Sequence, residues 1–245
     1  MKMKNQIILF TLLIALAFSS CKKDEELAEE NTSTPIQLRS SLSLQPASYW
    51  GGDTFELDQV YNVNGVDVKF AEIRFFLSNF EIHDMMNNHI DLGGYVLVEA
   101  GSTDALELPG TDLIHAHGIH MALGIDSLAN FNDPAISEAP LNDFTMHWSW
   151  NTGYKFVKIE GEHDADGDGE FETFSIHAAT AGLYREMSFD VMEDLEEGEN
   201  NFTLDIDYQT LFTNVDFSAL EGTHGASALT NEIADQIQQN ALSLN

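Results

Sequence analysis

The chain has 245 residues, 43% of them hydrophobic, and sets 41 Asp and Glu against 10 Lys and Arg, for a formal net charge of −31. That length suits one large domain with a buried core. The charge excludes nucleic-acid binding by counterion release, which needs clustered cations, and it would be repelled by an anionic membrane surface, so acidity here serves solubility and the attraction of cations.

At the N-terminus, Lys2 and Lys4 precede an apolar run from Ile7 to Phe18, followed by Ser19, Ser20 and Cys21. A charged start, a short apolar stretch and small residues predict a signal peptide over residues 1–20, too short to span a bilayer comfortably. Cys21 is the only cysteine in the chain, so it makes no internal disulfide. Its place directly after the apolar run resembles the lipidated cysteine of a bacterial lipoprotein. Lys22-Lys23-Asp24-Glu25-Glu26 resembles an export tag that sends such proteins to the outer face of an outer membrane. The expected organisation is a lipidated Cys21 and flexible tether over 21–36, then one domain over 37–245, touching the membrane only through its lipid.

Further along, alternation and β-rich composition predict strands over 67–83 and 90–98, joined by a turn at 86–89, and then over 118–125, 142–161, 170–178, 187–192 and 201–208. Phe202, Leu204, Ile206 and Tyr208 alternate with Thr203, Asp205, Asp207 and Gln209, which marks a strand with one wet face. The spacing predicts a mostly β protein, an antiparallel β-sandwich or open barrel. Helices are few. Ser218 to Glu221 has capping-box spacing and stops at Gly222. Leu229, Ile233 and Ile237 recur every four residues in 226–239 and predict a short amphipathic C-terminal helix.

Three segments carry chemistry. Trp148 and Trp150 sit two apart, so a continuous strand would point both one way and His147 and Ser149 the other. His115 and His117 share a strand face, with Cα atoms roughly 6.6 Å apart, and two imidazoles so placed can share one ion. Asp164-Ala165-Asp166-Gly167-Asp168-Gly169 places Asp at positions 1, 3 and 5 and Gly at 6 of the calcium-loop pattern, with Glu172 at position 9. Position 12 is Ser175 in place of the usual bidentate Glu, and the flanks are strands, so the expectation is a calcium-bound hairpin loop of structural character. The sequence has no Gly-x-Ser-x-Gly, His-Glu-x-x-His or phosphate-loop motif, and no turnover chemistry is expected.

The motif Met146-His147-Trp148-Ser149-Trp150-Asn151-Thr152-Gly153-Tyr154-Lys155-Phe156 resembles the signature of the MbnP-like copper-binding proteins, the methanobactin-associated partner family. Arg74-Phe75-Phe76-Leu77-Ser78-Asn79, Leu123-Gly124-Ile125-Asp126, the Asn130, Asp133-Pro134 and Ala139 to Asn142 loop, and Phe174-Ser175-Ile176-His177 are similar to further motifs of that family, in the same order. The resemblance implies copper held by histidines and by a tryptophan oxidised to kynurenine by a diheme peroxidase-like partner. Here Trp148 or Trp150 and His177 stand on the matching motifs, with a slight preference for Trp150. His147, or the His115 and His117 pair, would complete the set. The chain departs from many relatives in having Asn130-Phe131 where they have Asn-His, and in having no cysteine after Cys21.

The sequence therefore supports two readings. One is a lipid-anchored, outer-membrane copper-binding protein for storage, scavenging or handover, with a structural calcium loop. The other is a surface lipoprotein whose sandwich binds a protein or glycan and whose metal is structural calcium alone.

Overall fold

The computed structural model describes residues 40–86, 88–112, 115–220 and 222–245. The expected signal peptide over 1–20 and the expected lipidated Cys21 and tether over 21–36 lie outside the described residues. In chain order the strands are β1 (Ser40–Trp50), β2 (Asp53–Thr54), β3 (Val60–Val63), β4 (Val66–His83), β5 (His89–Glu99), β6 (Leu106–Thr111), β7 (His115–Leu123), β8 (His147–Ser149), β9 (Gly153–Asp164), β10 (Glu172–Ala179), β11 (Arg185–Asp194), β12 (Gly198–Asp207), β13 (Gly222–His224) and β14 (Leu242–Leu244). Two α-helices, α1 (Tyr208–Leu211) and α2 (Ala228–Gln236), lie near the C-terminal end.

These strands form two sheets, sandwich-like and not closed into a barrel. The smaller runs β14-β12-β1-β2, with β6 also paired to β1; the larger runs β11-β7-β4-β9-β10-β13, with β3 and β5 on β4 and β8 on β9. The expected mostly β architecture is present, but the sheets are mixed: β1 pairs with β12 in parallel, and β10 with β13 in parallel.

The spine is β4. Its first half pairs with β9 through Asp67 to Phe75, and its second half with β7 through Leu77 to His83. Between the two, Asn79 takes a left-handed backbone (φ 53°) and its side-chain amide donates to the Tyr184 hydroxyl at 2.7 Å. Asparagine tolerates that region because its short polar side chain can bond locally. One strand thus feeds two neighbours and carries side chains to opposite ends of the sheet.

An aromatic core lies under the β4–β9 half. The Phe70 ring stacks on Phe212 with centroids 4.6 Å apart, and Phe174 and Phe217 meet it edge-on at 6.1 Å each. Trp50 of β1 packs against Phe70 and Tyr61, at 5.6 and 4.3 Å. Truncating a phenylalanine so enclosed to alanine costs about 3–5 kcal/mol.

Three local expectations change. The strand expected over 142–161 is broken: β8 ends at Ser149, a turn spans 150–152, and β9 begins at Gly153. A left-handed Gly153 (φ 79°) makes that break, so Trp148 and Trp150 do not share a strand face. The helix expected at 218–221 is a 3₁₀ turn over Phe217–Ala219 capped by Asp216, and Gly222 opens a strand instead of ending a helix. The C-terminal helix is α2, opened by a capping box between Ser227 and Thr230 and followed by a π-helical turn over Ile237–Ala241.

Candidate metal centre

Strand β10 pairs with β9 on one side and β13 on the other, which sets His177 beside Lys158 and beside His224. The two imidazoles stack with their planes 30° apart and centroids 4.9 Å apart. The Trp148 indole, in the middle of β8, stands edge-on to both, 5.9 Å from His177 and 5.3 Å from His224. Trp148 is 38% exposed. A tryptophan and two histidines from three strands therefore meet at the protein surface.

The His177 ring is oriented by a carboxylate. Its Nε2 lies 2.8 Å from Glu160 Oε1. A histidine that donates one ring N–H to a carboxylate presents the other nitrogen, here Nδ1, as a lone-pair donor, which is the usual arrangement behind a metal-ligating imidazole. Burial is the main influence on His177 and holds its pKa below the ordinary histidine value, although Glu160 pulls the other way. The ring is thus neutral at pH 7, as ligation requires.

Glu160 belongs to a row of alternating charges that crosses β9 and β4 and reaches the loop before β8. Lys158 lies 3.3 Å from Glu160 and also pairs with Glu72; Glu72 accepts from Arg74 at 2.9 Å; Arg74 in turn pairs with Asp143 and donates to the Thr145 hydroxyl at 2.9 Å. Arg74, Lys155 and Lys158 are three of the five Lys and Arg among the described residues, gathered in a strongly acidic chain. The row joins the loop before Trp148 to the carboxylate behind His177. Partly buried pairs of this kind rigidify geometry more dependably than they add stability.

A second anchor holds the turn after Trp148. The buried Asn130 side chain accepts from the Tyr154 backbone N–H at 3.0 Å, and the Tyr154 hydroxyl donates to the Leu141 carbonyl at 2.5 Å. Gly153 lies against Asn130, where a β-carbon would meet its Cγ and Nδ2 at 2.5 Å.

The other sequence candidates lie elsewhere. Trp150 is 65% exposed and packs on His147, with centroids 5.4 Å apart. His147 faces Tyr154 at 5.0 Å; burial lowers its pKa, and its Nε2 is buried without a hydrogen bond. His115 pairs with Asp194 at 2.5 Å, and the His117 ring is 6.0 Å from His83. Neither His115 nor His117 is brought to Trp148. Sequence reasoning missed His224, Glu160 and Lys158. The signal for His224 is a histidine between Thr223 and Gly225, in the short stretch between the helical segment expected to stop at Gly222 and the helix expected from 226.

In the acidic loop, ligand oxygens of Asp164, Asp166 and Asp168 all lie within 4.8 Å of one another. Asp164 also accepts from the backbone N–H groups of Gly167, Asp168 and Gly169, at 2.8, 3.1 and 3.0 Å. Glu172 is outside that set; it is exposed at the start of β10, opposite His163.

The MbnP family model matches residues 39–228, most of the chain. The chain belongs to the MbnP family. Membership makes it one of the methanobactin-associated proteins. Among solved structures, MbnP from Methylosinus trichosporium has the same fold, with a TM-score of 0.55 at 15% identity, covering 78% of this chain and 82% of that one. No curated protein matches the sequence. Arg74, Asn130 and Asp143 all lie within the matched span, and each braces the scaffold around Trp148 and His177 without being a candidate ligand.

Proposed function

We propose that this MbnP-family chain binds copper at Trp148, His177 and His224, for storage, scavenging or handover, with no turnover of its own. The observation that carries the reading is the meeting of these three rings, with Glu160 holding the far nitrogen of His177. Imidazole suits copper, and copper leads the divalent first-row ions in affinity for nitrogen sites. Trp148 is the tryptophan in position to be oxidised to kynurenine by a diheme peroxidase-like partner, because it touches both histidines and its edge is open to a partner. The resulting aromatic amine would add a nitrogen donor beside two imidazoles. Cys21 carries a lipid that holds the protein on an outer membrane, and Asp164, Asp166 and Asp168 hold a structural calcium ion, with Glu172 at their rim.

The test is copper titration of the wild type, His224→Ala and Trp150→Phe, each checked for folding, with peptide mass spectrometry of the tryptophans. His224→Ala should weaken binding and Trp150→Phe should not. Any modification should add one oxygen and remove one carbon at Trp148. Equal copper affinity in all three proteins would defeat the reading, and it would favour the surface lipoprotein that binds a protein or glycan.

A further inference from the structure

A second group of imidazoles lies at the other end of β4. His83 ends β4, His89 opens β5, and His117 and His120 lie on β7. The register places His83 opposite both His89 and Gly118, and His120 opposite Glu81. Ring centroids of His89, His120 and His117 lie 5.3, 4.8 and 6.0 Å from that of His83. His83 Nδ1 and His120 Nε2 are 3.0 Å apart. Two imidazole nitrogens bound to one ion at about 2.0–2.1 Å stand roughly 3.0–3.4 Å from each other, so this pair already has the spacing of two ligands.

The surroundings favour ligation. His89 Nδ1 lies 2.6 Å from Glu81 Oε1, so a carboxylate orients this ring and leaves Nε2 as the donor, the same device as Glu160 on His177. Gly118 lets the His83 ring lie flat over the strand: a β-carbon there would sit 2.7 Å from His83 Nε2 and collide with the ring. Burial lowers the pKa of His83, and the neighbouring His120, His89 and His117 lower it further. Soft ligands gather at the same end. Of the six methionines among the described residues, Met121, Met146 and Met187 are buried. The exposed three are Met85 and Met86, in the β4–β5 turn between His83 and His89, and Met192, on β11 between the partners of Gly118 and Ala116.

We propose that His83, His89, His117 and His120 form a second transition-metal site that takes a divalent ion of the imidazole-preferring class, copper(II) first among them. His83 and His120 supply the preformed pair, and His89 and His117 join by turning their rings about side-chain torsions. The site is separate from the Trp148 centre. His177 is level with Arg74 through Lys158, and His83 lies nine residues further along β4, about 30 Å at strand rise.

The experiment is calorimetric copper(II) titration of the untagged protein, with electron paramagnetic resonance to report nitrogen ligation. The wild type is compared with His83→Ala/His120→Ala, Gly118→Ala and His177→Ala, each verified folded by circular dichroism. The double variant should weaken one binding step by at least about tenfold, the scale at which even supporting partners of metal ligands act. His177→Ala should leave that step unchanged. Gly118→Ala should weaken the same step with all four imidazoles present, which keeps the claim testable should the double variant not fold. Wild-type copper binding in both the double variant and Gly118→Ala would overturn the proposal. So would loss, in the double variant, of the same step that His177→Ala removes. If His177→Ala alone has no effect while the double variant does, the Trp148 reading fails and this one stands.

Discussion

Gly153 is the residue on which the placement of Trp148 depends, and Gly153→Ala should be costly for two separable reasons. Its backbone is left-handed (φ 79°), which for an L-residue costs about 1–2 kcal/mol. A β-carbon would also press into Asn130, meeting Cγ and Nδ2 at 2.5 Å, and Asn130 is buried and holds the Tyr154 N–H, so it cannot swing away. Overpacking of that kind costs about 1–3 kcal/mol. The sum is roughly 2–5 kcal/mol. Gly65→Ala is the control: Gly65 also has positive φ (95°), in the β3–β4 turn, but nothing lies within 4 Å of its added carbon. It should lose only the backbone share, about 1–2 kcal/mol. Denaturant unfolding followed by tryptophan fluorescence measures both. Gly153→Ala should lie below Gly65→Ala by the steric share. Equal destabilisation of the two variants would refute the argument that Gly153 is fixed by Asn130.

Other perturbations follow from the same geometry. Calcium should raise the melting temperature, since an ion that binds only the folded chain stabilises it by about 2.7 kcal/mol at a hundredfold excess over Kd; Asp164→Asn/Asp166→Asn should abolish the rise, and a wild type indifferent to millimolar calcium would contradict the calcium loop. Burial pushes the Asp143 carboxyl up, but hydrogen bonds from Thr145 and Arg74 outweigh it and set its pKa below the usual carboxylate value. A carboxylate lowered on folding contributes stability above its unfolded pKa of about 3.9 and loses it as pH falls through the folded value. Stability measured from pH 7 downward should therefore drop below about pH 4, and Asp143→Asn should lessen that drop; a parallel drop in the variant would show that Asp143 has no part in it. Cys21→Ser should release the protein from the membrane fraction, and a variant that stays bound would place the anchor elsewhere.

The β character was legible because alternation is a local signal. Phe202 to Ile206 and Val68 to Phe80 show it openly, and those segments lie in β12 and β4, although Tyr208, read as the end of the same strand, opens α1. Strand β1 was not legible, because Ser40 to Trp50 mixes Ser, Gln and Pro46 with apolar residues, and its parallel partner β12 is more than 150 residues away. The break at 150–152 was missed because the Trp148-x-Trp150 spacing reads as a strand, whereas Asn151, Thr152 and Gly153 supply turn chemistry that overrides it. His177 could be found because a motif surrounds it. His224 could not, since its role comes from parallel pairing with β10, a contact between segments 47 residues apart. The four-imidazole group lay half visible in His115-Ala116-His117-Gly118-Ile119-His120; its other members, His83 and His89, arrive on β4 and β5 only when the sheet forms.

The central claim is tested most directly by locating the ion. Crystals of the copper-loaded protein, measured on both sides of the copper absorption edge, give an anomalous map that depends on no assumed ligand. The account predicts a peak bonded to His177 Nδ1 and a nitrogen of His224, beside Trp148 or its oxidised product. Copper found only at other residues, with His177 still bound to Glu160 and no density beside Trp148, would contradict it.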